Sequence, residues 1–156
     1  MRNVLLGTIL GCLIAGSSAV VCANEAVSAS LEDAAPKAQV IAFVRCTEAT
    51  TADEAHLKEQ TLVSSFEVVD QYKGEPLSNF VLRQQPTESV HFNRGERAFL
   101  FLSKDETGAL HLLPGNFIYQ VANDPYTGAA VIEYNGGRVA VEQFAGLILK
   151  LTRVQN

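Results

Sequence analysis

Continuous and alternating apolar runs along the first half of the chain predict β-strands. Residues 38–46 (AQVIAFVRC) are largely β-branched or apolar, which is typical of a central strand buried on both faces. Residues 61–72 form the longest strand candidate, and a break in their alternation at Val69 predicts a β-bulge there. The intervening residues 47–60 are polar and predict a loop or one short helix.

The second half of the chain continues this series of short strands, which are separated by turn residues. The dipeptide Asn135-Gly136 is the signature of a type I′ hairpin turn. Residues 104–108 predict a second hairpin loop. The predicted strands in this half lie at residues 79–84, 97–103, 109–113, 116–121 and 129–134.

The strand predicted at 97–103 is apolar on both of its faces. Phe99 and Phe101 share one face, because side chains alternate along a strand, and Leu100 and Leu102 share the other. If one face points into a barrel, another element must cover the opposite face. The sequence therefore predicts a covering element elsewhere in the chain.

The C-terminal segment VEQFAGLILKLTRV is the only stretch with a convincing helical pattern. Its apolar residues recur at a spacing that places them in one stripe along a helix. We predict a C-terminal helix within residues 138–156 that packs on the barrel exterior near strand 97–103. The stripe consists of Val141, Phe144, Ile148 and Leu151.

Several short strands followed by one helix predict a mainly β fold. The chain has 156 residues, enough for one domain with a sizeable core. We expect a small antiparallel barrel or sandwich over residues 38–137, closed by the helix. Residues 24–37 are rich in Ala, Ser and acidic side chains, and they predict a flexible, solvated linker, with a fraying helix as an alternative within it.

The N-terminus has the pattern of a secretory signal peptide. Arg2 is followed by an apolar region and by the small-residue sequence Val21-Cys22-Ala23, which predicts cleavage between Ala23 and Asn24. Cleavage after Ala19 is an alternative, as is retention of residues 1–23 as an anchor. A further alternative is a lipoprotein signal in which Cys12 is acylated. The prediction is a secreted or periplasmic protein.

Composition and charge limit the classes of partner that this chain is expected to bind. The chain is 47% hydrophobic and 19% charged, an ordinary globular mixture. Its formal net charge is −5, and removal of Arg2 with the signal leaves 11 basic and 17 acidic side chains, a charge of −6. Such an acidic chain lacks the basic clusters that nucleic acids and anionic membrane surfaces require, so we expect neither as a partner.

Cys46 is the single cysteine that remains if cleavage follows Ala23. A lone cysteine in a predicted strand is typical of a buried core residue. Two other roles stay open: a nucleophile with a histidine as base, and a disulfide with Cys22 or with another chain. The histidines, at positions 56, 91 and 111, show no pairing at zinc-ligand spacing, and we predict no metal or cofactor.

Other candidate chemistry is sparse. The acidic pairs Asp53-Glu54 and Asp105-Glu106 fall in predicted loops, where carboxylates are usually solvated. No nucleophile elbow, phosphate-binding loop or dinucleotide fingerprint is present, so we predict no catalytic residue. Arg94, Glu96 and Arg97 surround Gly95 in a turn before a buried strand; they are candidate binding residues or simply the charged cover of that turn.

Three stretches resemble a known family: TLVSSFEVVDQYKGE, FNRGERAFLFLSKDETGALHLL and GNFIYQVANDPYTGAAVIEYNGG. Together they are similar to secreted bacterial proteins of the netrin-module type, whose fold is shared by the tissue inhibitors of metalloproteinases. The resemblance spans residues 38–134 and implies an OB-like barrel with helical packing at one end. Those inhibitors place an N-terminal cysteine amine on zinc, and Asn24 at the predicted mature start departs from that pattern.

These observations lead to three functional hypotheses. The first is a non-enzymatic extracytoplasmic module that binds a protein, for example a secreted enzyme such as a protease. The second is a binder of small ligands or oligosaccharides at the barrel mouth, where OB folds commonly bind. The third is a small thiol- or metal-assisted hydrolase that uses Cys46 or the histidines.

Overall fold

The computed structural model describes residues 30–53, 60–85, 90–115 and 117–153. The predicted signal peptide, its cleavage site at Ala23 and Asn24, and Cys12 lie outside these residues. The elements are α1 (Leu31–Lys37), β1 (Val40–Asp53), β2 (Gln60–Lys73), β3 (Asn79–Gln84), β4 (Arg97–Lys104), β5 (Leu110–Leu112), β6 (Ile118–Asn123), β7 (Ala130–Tyr134), β8 (Gly137–Ala140) and α2 (Val141–Arg153).

The strands form one antiparallel sheet in the order β3-β2-β1-β4-β6-β7-β8, and β5 also pairs with β4. Strand β4 pairs with β1 along one edge. Along its other edge, β6 pairs with the N-terminal half and β5 with the C-terminal half. The sheet curls so that β3 contacts β5, although no ladder joins the described residues of these two strands. The mainly β fold is confirmed, and the predicted barrel is approximate because it is not closed.

The curled part of the sheet encloses an apolar interior. Leu100 and Leu102 of β4 point into it and are fully buried. Phe66 of β2 stacks there on Phe80 of β3, with ring centroids 5.4 Å apart. The other buried members of this interior cluster are Val40, Ala42, Val44, Cys46, Leu82, Phe92 and Ala98.

The opposite face of β4 is covered by both helices, of which the sequence predicts only the C-terminal one as the covering element. Phe99 and Phe101 are fully buried in a second cluster together with Phe144 and Ile148 of α2. The rings of Phe99 and Phe144 meet edge to face with centroids 5.0 Å apart. The packing of the C-terminal helix against strand 97–103 is therefore confirmed.

Residues 31–37 of the predicted linker form the helix α1, the alternative for this segment. Ser30 caps this helix by accepting a hydrogen bond from the Asp33 N–H on its Oγ, at 3.1 Å. At the other end, the Lys73 Nζ donates to the carbonyl oxygens of Ala35 and Pro36 at 2.8 and 3.0 Å. The buried residues of α1 belong to the second cluster, which also contains Phe144 and Ile148 of α2; they are Leu31, Ala34 and Ala35.

Two strand features follow the prediction closely. Phe43 pairs with Asp70 and Val44 with Val68, so Val69 is left over as the expected bulge. Asn135 and Gly136 have φ values of 50° and 73°, and these positive values are the geometry that a type I′ turn requires.

Two predicted boundaries need correction. Residues 47–53 continue β1 instead of forming a loop or a short helix, which gives this strand 14 residues. Residues 138–140 belong to β8, so the C-terminal helix begins at Val141. Among the described residues, neither helix is long and apolar enough to cross a membrane.

Candidate functional site

The turn at residues 93–96 is fastened to β1. The Gly95 N–H donates to the Cys46 carbonyl oxygen, and the Cys46 N–H donates to the Glu96 carbonyl oxygen, both at 2.8 Å. The Glu96 carboxylate accepts hydrogen bonds from the N–H and Nδ2 of Asn93, at 2.9 and 2.7 Å. Gly95 has a φ of 91°, which suits glycine. Glu96 thus stabilises the turn that carries Arg94.

Strand β1 pairs with β2 along one edge, called its inner edge below, and with β4 along the other, called its outer edge. Beyond this turn the outer edge no longer pairs with β4. β4 pairs with β1 only over positions 40–45, and the two bonds at Cys46 end the contact. No described residue forms a ladder with the outer edge of residues 48–53, although β2 pairs with their inner edge. Alternate residues of a strand direct their N–H and C=O groups to opposite edges, so the part of the chain that the structure describes leaves the donors and acceptors on this edge without a ladder partner.

Residues 90–94 form a wall opposite this edge. Phe92 anchors the wall because its buried ring packs perpendicular to Phe66, with centroids 5.0 Å apart. Val90 packs on the same interior cluster. Between edge and wall lies a groove of about 270 Å³, called the edge groove below. It is lined by Ala49, Thr50, Thr51, Leu62, Ser64, Val90, His91, Phe92, Asn93 and Arg94.

The edge groove has polar side chains along its rim. Arg94 and His91 are both exposed. Among the described residues that line the edge groove, Arg94 is the only one with an acidic or basic side chain other than histidine.

A buried amide lies at the same end of the barrel interior. Gln84 ends β3, is only 4% exposed, and has no hydrogen-bond partner for its Nε2 or Oε1 among the described residues. It stands opposite Leu62 in the β2–β3 ladder, so both side chains lie on the same face of the sheet. Leu62 lines the edge groove. An unpaired buried amide beside a groove is a position where a ligand or water can bind.

The three predicted binding residues are therefore separated in the structure. Arg94 lines the edge groove, whereas Glu96 supports the turn. Arg97 begins β4, is exposed, and stands opposite Arg45 in the ladder. Arg45 forms an ion pair with Glu67, with Nη2 and Oε2 2.6 Å apart. Of the three, only Arg94 faces a cavity.

Cys46 has the environment of a core residue. It is 1% exposed, forms no disulfide within the described residues, and its Sγ lies 3.4 Å from the Glu48 carbonyl oxygen, to which it donates. Burial raises the pKa of the Cys46 thiol, which favours the unreactive protonated form. A disulfide to Cys22 concerns a residue outside the described part of the chain.

The predicted acids and histidines do not form a cluster with obvious chemistry. His111 Nε2 lies 2.9 Å from Asp105 Oδ2. Hydrogen bonds from Thr107, and then the contact with His111, lower the pKa of Asp105, whose Oδ1 also accepts the Ala109 N–H. This carboxylate holds the β4–β5 loop together. Within the described residues, no group of three His, Cys, Asp or Glu side chains is arranged to hold a metal, and His56 lies outside them.

A larger cavity, of about 640 Å³, lies between the end of β2 and the C-terminal end of α2. Two of its polar side chains, those of Lys73 and Gln71, are already used by the protein. The Lys73 amino group donates to α1, and the Gln71 side chain bonds the backbone of Lys73, Glu75 and Leu77. This cavity therefore supports packing of the turn and helices, and the edge groove is the better candidate site.

Sequence reasoning missed two parts of the site. The polar run TEATTAD predicts a loop or a short helix, although its β-branched threonines favour a strand. Nothing in the sequence marks Gln84 as buried except its place two residues after Leu82 in an alternating strand.

Comparison with known proteins gives no relative: no protein-family model matches this chain, and no curated protein matches it.

Proposed function

We propose that this chain is an extracytoplasmic protein-interaction module of the netrin-like type, which acts by binding and not by catalysis. The observation that supports the proposal is the outer edge of residues 48–53 beside the edge groove, along which no described residue forms a ladder. Proteins usually protect such edges, because exposed N–H and C=O groups pair readily with another chain. The outer edge of residues 48–53, next to the wall at residues 90–94, offers such groups to a partner chain.

The resemblance to netrin modules and the N-terminal signal pattern support a role outside the cytoplasm. The environment of Cys46 counts against a thiol nucleophile, since a buried thiol with a raised pKa is neither accessible nor ionised. A secreted enzyme, such as a protease, is the class of partner that the resemblance suggests.

Photo-crosslinking in the native host tests this function. A photoreactive residue replaces His91 at the edge groove, and others replace Tyr126 and Glu106, which are exposed in the loops after β6 and β4. We expect a discrete protein adduct from the exported chain. The proposal fails if none of the three positions yields a protein adduct.

A second candidate function is the binding of a small polar ligand at the barrel mouth. The unpaired amide of Gln84 favours it, because a ligand that bonds both Nε2 and Oε1 would remove the cost of burying them. Titration calorimetry with a panel of oligosaccharides tests it. Heat of binding that disappears in Gln84→Met would support this candidate, and absence of binding across the panel would oppose it.

A further inference from the structure

We propose that the edge groove binds an extended acidic segment of a partner protein as an added strand on β1, with a carboxylate of that segment paired to Arg94. This inference rests on the proposed function and specifies its mode of recognition. In such β-augmentation, main-chain hydrogen bonds supply affinity and neighbouring side chains supply specificity.

The backbone of β1 provides the first part of the argument. Residues 48–53 are held in strand geometry by β2 on their inner edge, so their outer N–H and C=O groups are already aligned. These groups repeat every second residue, about 6.8 Å along a strand, which is the repeat of an extended peptide backbone. Because the edge is ordered before binding, only the incoming segment loses conformational freedom.

The wall at residues 90–94 decides between a single segment and a second copy of this chain. Edge-to-edge pairing of two copies requires both β1 edges to approach along their length. The wall, anchored by the buried ring of Phe92 against Phe66, stands directly beside the edge. A second folded sheet would have to pass this wall along its length, whereas a single extended segment needs only the width of one strand beside the edge, about 4.8 Å.

The charge of the edge groove specifies the segment. Arg94 is exposed at the groove and has no ion-pair partner among the described residues. The nearest acid in its turn, Glu96, directs its carboxylate to Asn93. Arginine pairs well with carboxylates through its planar fork of donors. Thr50 and Thr51 line the opposite side, and such β-branched residues favour β-branched partners across a strand pair.

Selection from a phage-displayed library of random peptides tests this inference on the purified exported protein. We expect enriched peptides to combine β-branched residues with Asp or Glu. A synthetic peptide of the enriched sequence should bind, and N-methylation of alternate backbone amides on its pairing edge should weaken binding at least tenfold. Arg94→Glu should weaken binding by a similar factor.

Arg153→Glu is the matched control, because it reverses an exposed arginine at the end of α2 that lines a different cavity and not the edge groove. It should leave binding unchanged. Thermal melting of both variants checks that they are folded. The inference is overturned if no peptide is enriched, or if binding is insensitive to N-methylation and to Arg94→Glu. It is also overturned if sedimentation shows a dimer that Arg94→Glu dissociates.

The two proposals fail in different ways. A protein adduct from position 126 or 106, combined with failure of peptide selection, would leave the interaction module intact and refute the edge groove as its site. Absence of every protein adduct would refute the function itself.

Discussion

Removal of the Phe144 ring tests how the two layers of the fold are joined. Phe144 of α2 is completely buried, and its ring centroid lies 4.7 Å from that of Tyr119, 5.0 Å from Phe99 and 5.4 Å from Tyr134. Truncation of a buried phenylalanine to alanine costs about 3–5 kcal/mol, because transfer energy is lost and a cavity remains. Three aromatic contacts place Phe144→Ala in the upper part of this range.

Urea unfolding followed by circular dichroism measures this cost as a lowered midpoint at constant slope. A small domain has a free energy of unfolding of about 5–15 kcal/mol, so Phe144→Ala can leave little folded protein. Phe144→Leu keeps the experiment informative, with an expected loss of about 1–2 kcal/mol. The control is Leu149→Ala in the same helix, where the residue is 37% exposed and the loss should be smaller. Equal losses for Phe144→Ala and Leu149→Ala would refute the packing described here.

Three further predictions concern single groups. Cys46→Ser should lower the free energy of unfolding by about 1–2 kcal/mol, because a hydroxyl replaces a buried thiol. In the native protein the Cys46 thiol should resist labelling reagents, and rapid labelling of the folded protein would contradict its burial. Gln84→Met should raise the free energy of unfolding by about 1 kcal/mol, because it removes an unpaired buried amide, and a lowered urea midpoint would show that the amide is satisfied. The pKa of Asp105 is lowered in the folded chain. Its ionised carboxylate therefore stabilises the fold above the unfolded pKa of about 4, and this stabilisation is lost as the pH falls below that pKa. The difference in melting temperature between wild type and Asp105→Ala should therefore shrink between pH 5 and pH 2, and a difference independent of pH would count against this role.

The parts of the fold that the sequence predicts are those where burial imposes a periodic pattern. The two apolar faces of strand 97–103 indicate a covering element, and the stripe containing Phe144 and Ile148 identifies it. The bulge at Val69 is visible because it interrupts an alternation that one buried face otherwise requires. Turn chemistry at Asn135-Gly136 needs no tertiary information, since positive φ at both positions is a local requirement.

The parts that sequence reasoning missed depend on tertiary contacts. Helix α1 has only one large buried side chain, Leu31, and two alanines, so its apolar pattern is weak, and Lys73 completes its C-terminus from a distant strand. The extension of β1 over residues 47–53 is polar on both faces, so no alternation marks it as a strand. The same lack of burial leaves its outer edge open, which is why the candidate site lies where the sequence signal is poorest.

Amide hydrogen exchange along β1 tests the central claim, a preformed and unpaired binding edge, most directly. In the free protein, alternate amides within residues 48–51 should exchange rapidly, while the amides of 41–45, which lie between β2 and β4, should be protected throughout. Addition of the selected acidic peptide should slow the exposed alternate amides without changing the others. Uniform protection of 48–51 in the free protein, or no added protection with saturating peptide, would contradict the account.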